Sequence, residues 1–161
     1  MKRNTFSLSL ILLTQVFSSC KDQSTTPDSL DYLHLRFVSG YIGADLMPSF
    51  PPFRDPIGCQ IIIVAENTSA TRTLSKLSAP QADVFLNSSN QKLGTITFTT
   101  TWDGQLDPTE RDTVRLTKVI SQTTLLTPQC GMYVYLNLTV QNDSKTSISL
   151  KTDSLAFGCA Y

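Results

Sequence analysis

The residues of this chain whose types could do chemistry are four cysteines, one histidine and a short run of carboxylates. A zinc site needs several Cys, His or carboxylate ligands at close spacing. His34 has no such cluster beside it and lies on the polar side of an alternating segment, so it reads as an exposed strand residue. Asp103, Asp107, Glu110 and Asp112 carry the oxygens that calcium takes, but not at EF-hand spacing, and Asp103-Gly104 and Asp107-Pro108 are turn signals. There is no Gly-x-Ser-x-Gly elbow, and the paired carboxylates of a glycosidase need a cleft that a small sandwich seldom builds. The expectation is a protein without catalytic residues, metal or cofactor.

The elements that would position these residues read as strands. Leu33, Leu35 and Phe37 alternate with His34, Arg36 and Val38, a period of two. Ile57 to Glu66 (IGCQIIIVAE) is a β-branched run suited to a central strand, ended by the turn residues Asn67-Thr68-Ser69. Shorter strands follow over Ala82 to Asn87, Lys92 to Thr101 and Asp112 to Ile120. Met132, Val134, Leu136, Leu138 and Val140 make the cleanest alternation in the chain. Asn142-Asp143-Ser144-Lys145 turns this strand into a last one carrying Ile148 and Leu150. Only Ala70 to Ser78 could hold a loose helical turn. About seven short strands separated by turns argue for an all-β, antiparallel β-sandwich. Glu66-Asn67 and the later Leu106-Asp107-Pro108-Thr109-Glu110 resemble the strand exit and strand entry of bacterial immunoglobulin-like modules. That resemblance implies an immunoglobulin-like sandwich and no activity.

The hairpin register predicts a disulfide. If Val140 faces Ile148 and Leu138 faces Leu150, both apolar sets point inward. Farther along, the apolar residues move to odd positions, Leu155, Phe157 and Cys159, so one residue must be inserted near Asp153-Ser154 as a β-bulge. Cys130 then falls opposite Cys159, within disulfide reach. Cys59, whose strand should begin at the same end, keeps a Cys59–Cys130 bridge open as the alternative.

Tyr41 to Pro56 (YIGADLMPSFPPFRDP) holds four prolines, which cannot sit in sheet interior. It reads as one long connection between the first two strands. Its Phe50, Phe53 and Arg54, within residues 47–56, either close one end of the core or meet a protein or glycan partner. Trp102 is read first as a lid on the core.

The N-terminus speaks to location. Lys2 and Arg3 precede an apolar stretch from Phe6 to Val16, too short to span a bilayer, which reads as a signal peptide over residues 1–19. Phe17-Ser18-Ser19-Cys20 resembles a bacterial lipobox, which implies acylation of Cys20 and a membrane anchor. Residues 20–30 then form a polar tether holding Pro27, and residues 31–161 the domain. Without Lys2 and Arg3, eleven basic side chains meet thirteen acidic ones, a net charge of −2. With no basic run, nucleic acid is not expected as a partner. The sequence thus points to a lipid-anchored envelope protein, at the periplasmic or surface face of an outer membrane. Its role would be structural or protein-binding, with small-ligand or glycan binding through the Pro/Phe-rich segment as the alternative.

Overall fold

The structure is a computed structural model that describes residues 30–47, 56–98, 102, 104–118 and 126–161. The predicted signal peptide, Cys20, Phe50, Phe53, Arg54 and Asp103 lie outside the described residues. A single 3-10 turn, Leu30–Tyr32, leads into β1 (Leu33–Asp45), β2 (Ile57–Asn67), β3 (Ser78–Leu86) and β4 (Lys92–Thr97). The rest of the domain is β5 (Arg111–Lys118), β6 (Tyr133–Gln141), β7 (Ser147–Lys151) and β8 (Leu155–Ala160). The protein is all-β, as its alternating apolar and threonine-rich segments require.

The strands form one open, curled sheet in the order β4-β3-β6-β8-β1-β2-β5, with β7 also paired to β6. Curling brings the inner faces of both arms onto one core. Ile61 and Ile63 of β2 and Leu116 of β5 share it with Val84 of β3, Ile96 of β4, and Leu136 and Leu138 of β6. Each such side chain contributes roughly 1.5–3 kcal/mol through removal from water, so the alternating positions, rather than any polar pair, hold the arms together.

Five expectations change. The sheet is mixed rather than antiparallel, because β8 runs parallel to β1, with Ile42 opposite Phe157 and Ala44 opposite Cys159. The first strand does not stop near Val38; it passes a register shift between Phe37 and Ser39 and continues to Asp45, so Tyr41–Asp45 are strand rather than connection. Ala70 to Ser78 contains no helical turn: Leu74 makes an isolated bridge with Leu106 instead. Met132, in phase with the inward set of β6, is exposed. Leu30, at the end of the predicted tether, is buried in the core.

The hairpin register is the one the apolar pattern demands, with Val140 opposite Ile148, Leu138 opposite Leu150, and Val134 opposite Leu155 after the insertion. The insertion is stabilised by a side chain. Thr152 is buried, its hydroxyl accepts a hydrogen bond from the Leu136 N–H at 2.9 Å, and its own N–H donates to the Leu136 carbonyl. A threonine oxygen thus stands in for the missing rung of the ladder.

Asn67 makes a second polar joint. Fully buried, it donates from Nδ2 to the carbonyls of Leu106 (3.1 Å) and Asp107 (3.0 Å), and its Oδ1 accepts from the Ser69 N–H. Its backbone N–H bonds the Glu110 carbonyl. The two segments that carry the immunoglobulin-like resemblance are therefore bonded to each other.

Gly43 shows how closely β8 approaches β1. A Cβ there would lie 2.8 Å from the Gly158 carbonyl oxygen, nearer than a side chain can come.

Replacing Thr152 with Val leaves the Leu136 N–H buried without its acceptor. The variant is expected to lose about 1–3 kcal/mol of stability in urea unfolding, while Thr152→Ser, which keeps the oxygen, stays within about 1 kcal/mol of the parent.

Candidate functional site

The residues with chemical potential are, for the most part, absorbed by the frame. Cys130 and Cys159 are joined, with Cα atoms 5.5 Å apart, and Cys59 is a free, buried thiol. The crosslink closes a loop of 29 residues, which by chain entropy is worth roughly 3–4 kcal/mol. Cys59 sits across from Ile42 on β2, whereas Cys159 sits across from Ala44 on the other side of β1. The intervening strand keeps Cys59 out of the bridge.

The carboxylates of the predicted turns are also engaged. Glu110 accepts the Asp107 N–H through Oε2 at 2.6 Å, and Asp107 Oδ1 accepts from the Thr73 hydroxyl at 3.2 Å. Asp112 lies opposite Ala65 in the β2–β5 ladder. No group of three His, Cys, Asp or Glu side chains among the described residues could hold a metal ion. Trp102 is half-buried against the core, which accords with its reading as a lid.

Among the described residues two surface features stand out, both involving β1 and β2. The first is an open trough of about 730 Å³ over β8, β1 and β2. Its floor is almost bare backbone, because Gly158, Gly43 and Gly58 stand opposite one another on three adjacent strands. Gly43 is explained by the close approach of β8. At Gly158 a Cβ would meet nothing within 4 Å, so that position is open toward solvent. Tyr41 lines one side, and a second tyrosine, Tyr133, shares its outer face. Ala156 faces Tyr133 across the β6–β8 ladder, and Tyr41 and Ala156 each precede the parallel partners Ile42 and Phe157. Alternation therefore puts Tyr133, Ala156 and Tyr41 on the same outer face. The tyrosines are 60% and 55% exposed for Tyr133 and Tyr41. The other rim holds Asp45 and Pro56, whose carbonyl accepts the Asp45 N–H at 2.9 Å. Asp45 and Pro56, which bracket residues 46–55 in the sequence, thus meet at this rim. Sequence reasoning missed the trough, since it counted Tyr41 and Gly43 as connection; the glycines at matching depths in three strands were its only signal.

The second feature lies at the start of β1, in a pocket of about 480 Å³ that includes His34, Arg36, Glu66 and Arg111. Here the lone histidine is exposed on its strand, as its position in the alternation predicts.

Beneath the trough, Lys118 is buried and donates from Nζ to the Ile57 carbonyl at 2.6 Å, directly across the ladder from Cys59. Burial pushes the Cys59 thiol up to about 12 from 9.0, and the Lys118 charge offsets only part of that. A neutral, enclosed thiol is a poor nucleophile. Cys59 is expected to resist a thiol reagent in the native protein and to react once urea unfolds it. The linkage has a definite sign: between pH 9 and 12 the unfolded chain sheds the proton that the folded chain keeps, so stability falls as pH rises through that window. Cys59→Ala should flatten this slope in urea titrations taken at several pH values.

Neither a family model nor a curated protein matches this chain. Among solved structures, 78% of the chain is similar to the β-glucuronidase of Bacteroides uniformis, at 16% identity and a TM-score of 0.43, and the chain spans 14% of that protein's length. The structural genomics target SoR45 is similar over 80% of this chain and 89% of its own, at 11% identity and a TM-score of 0.38. At these values neither likeness bears on what the chain does.

Proposed function

We propose that this protein is a lipid-anchored domain of the bacterial envelope that works by contact rather than by catalysis. The observation that carries the contact reading is the trough lined by Tyr41, with exposed Tyr133 beyond Ala156 on the same outer face. Exposed tyrosines beside a floor of small residues offer rigid, amphipathic area at low entropic cost, the kind of surface partners use. The disulfide accords with an oxidising compartment. Nine residues separate Cys20, in its lipobox-like setting, from the buried Leu30, a length suited to a tether.

The ladders also support an immunoglobulin-like sandwich. β8-β1-β2-β5 form one set of pairings and β4-β3-β6-β7 another, and β8 contributes to both. A second reading, small-ligand or glycan binding through residues 47–56, draws support from Asp45 and Pro56, which flank that segment at the rim of the trough.

Intact mass of the protein from its native membrane should show a chain beginning at Cys20 and carrying fatty acyl mass; a different start, or an unmodified thiol, defeats the anchor. Cross-linking in the same membranes should capture a partner protein that Tyr41→Ser/Tyr133→Ser loses while its circular dichroism is unchanged. A reproducible glycan-array signal that vanishes in Phe50→Ala/Phe53→Ala would favour the second reading.

A further inference from the structure

A different place on the same outer face carries an inference beyond the contact reading and independent of it. In the β1–β2–β5 ladders, His34 stands opposite Glu66, and Glu66 opposite Arg111; two residues along, Arg36 stands opposite Val64. Alternation sends these five side chains to one face; they line the pocket of about 480 Å³, which also reaches Leu33, Leu35 and Ile148 of the inward set. Val64 is only 7% exposed, although it points outward. It is the apolar floor, and the charged and polar groups stand around it.

None of these groups is committed elsewhere. The ion pairs Lys76–Asp143 and Lys92–Asp83 involve none of them. Glu66 lies between His34 and Arg111 in the register, with Arg36 two residues along β1, and pairs with neither arginine within 4 Å. Two free guanidinium forks suit an oxyanion, which they can take bidentately. The remaining groups, a carboxylate and an imidazole, suit hydroxyl donors and acceptors. Val64 and Ile148 suit the C–H face of a ring. A bare anion would use the arginines and be repelled by Glu66, whereas a neutral sugar would leave both forks unfilled.

We infer that this pocket binds a small phosphorylated sugar, with Arg36 and Arg111 on the phosphate and Glu66 and His34 on the hydroxyls. Calorimetric titration of the purified full-length protein with glucose 1-phosphate tests it, with glucose and inorganic phosphate titrated separately. A saturable isotherm is expected for glucose 1-phosphate, with at least tenfold weaker binding, or none, for the two halves. Arg36→Gln and Arg111→Gln should each weaken binding by about tenfold or more, the size of one lost charge-assisted bond. Arg36→Lys, which keeps the charge but not the fork, should fall between. These positions lie on the surface, and unchanged far-ultraviolet circular dichroism verifies the fold. No isotherm, equal binding of phosphate or glucose alone, or unaltered affinity in the Gln variants overturns the assignment.

Discussion

The last strand is the constraint on which the rest of the structure depends. In six residues, β8 pairs antiparallel with β6 at its start and parallel with β1 toward its end. Among the described strands it alone has ladders on both arms, so it joins β1-β2-β5 to β4-β3-β6 and lets a single sheet curl around one core. Its side chains follow from that position. Phe157 is nearly inaccessible because it faces the core between the arms, Gly158 brings its carbonyl against Gly43, and Cys159 is tied back to Cys130.

Polar residues in this domain serve mainly as joints. Thr152 replaces a rung where β7 gives way to β8, Asn67 ties the exit of β2 to the entry of β5, and Asp107 and Glu110 bond within the turn before β5. Each sits where the backbone departs from a ladder and would otherwise leave buried donors or acceptors without partners. Thr152, Asn67, Asp107 and Glu110 are thereby engaged in architecture. The outer face of β1 and its neighbours is bare and tyrosine-edged at one end and basic at the other.

The candidate sites were only partly legible in the sequence. The exposed position of His34 follows from its place in an alternating segment, but its company does not. Glu66 and Arg111 come beside it only because β1 pairs with β2 and β2 with β5. Gly43, Gly58 and Gly158 look unrelated along the chain and meet across three strands. Prolines mark 48–56 as unsuited to sheet, yet the boundary was drawn too early, because Tyr41–Asp45 contain two small residues and no strong alternation while β8 and β2 hold them from both sides.

What the sequence by itself determined is the local content. Strands follow from period-two alternation, the β6–β7 register from the demand that both apolar sets face inward, and the Cys130–Cys159 pair from carrying that register past one inserted residue. These are neighbours along the chain or across a single turn, where side-chain phase alone decides. Only the tertiary structure decided which strands lie side by side beyond the hairpins, above all the parallel contact of β8 with β1. Alternation says which face of a strand is buried but not which edge meets which. Edges are matched by closing one core around all the apolar faces at once, a condition no single segment contains.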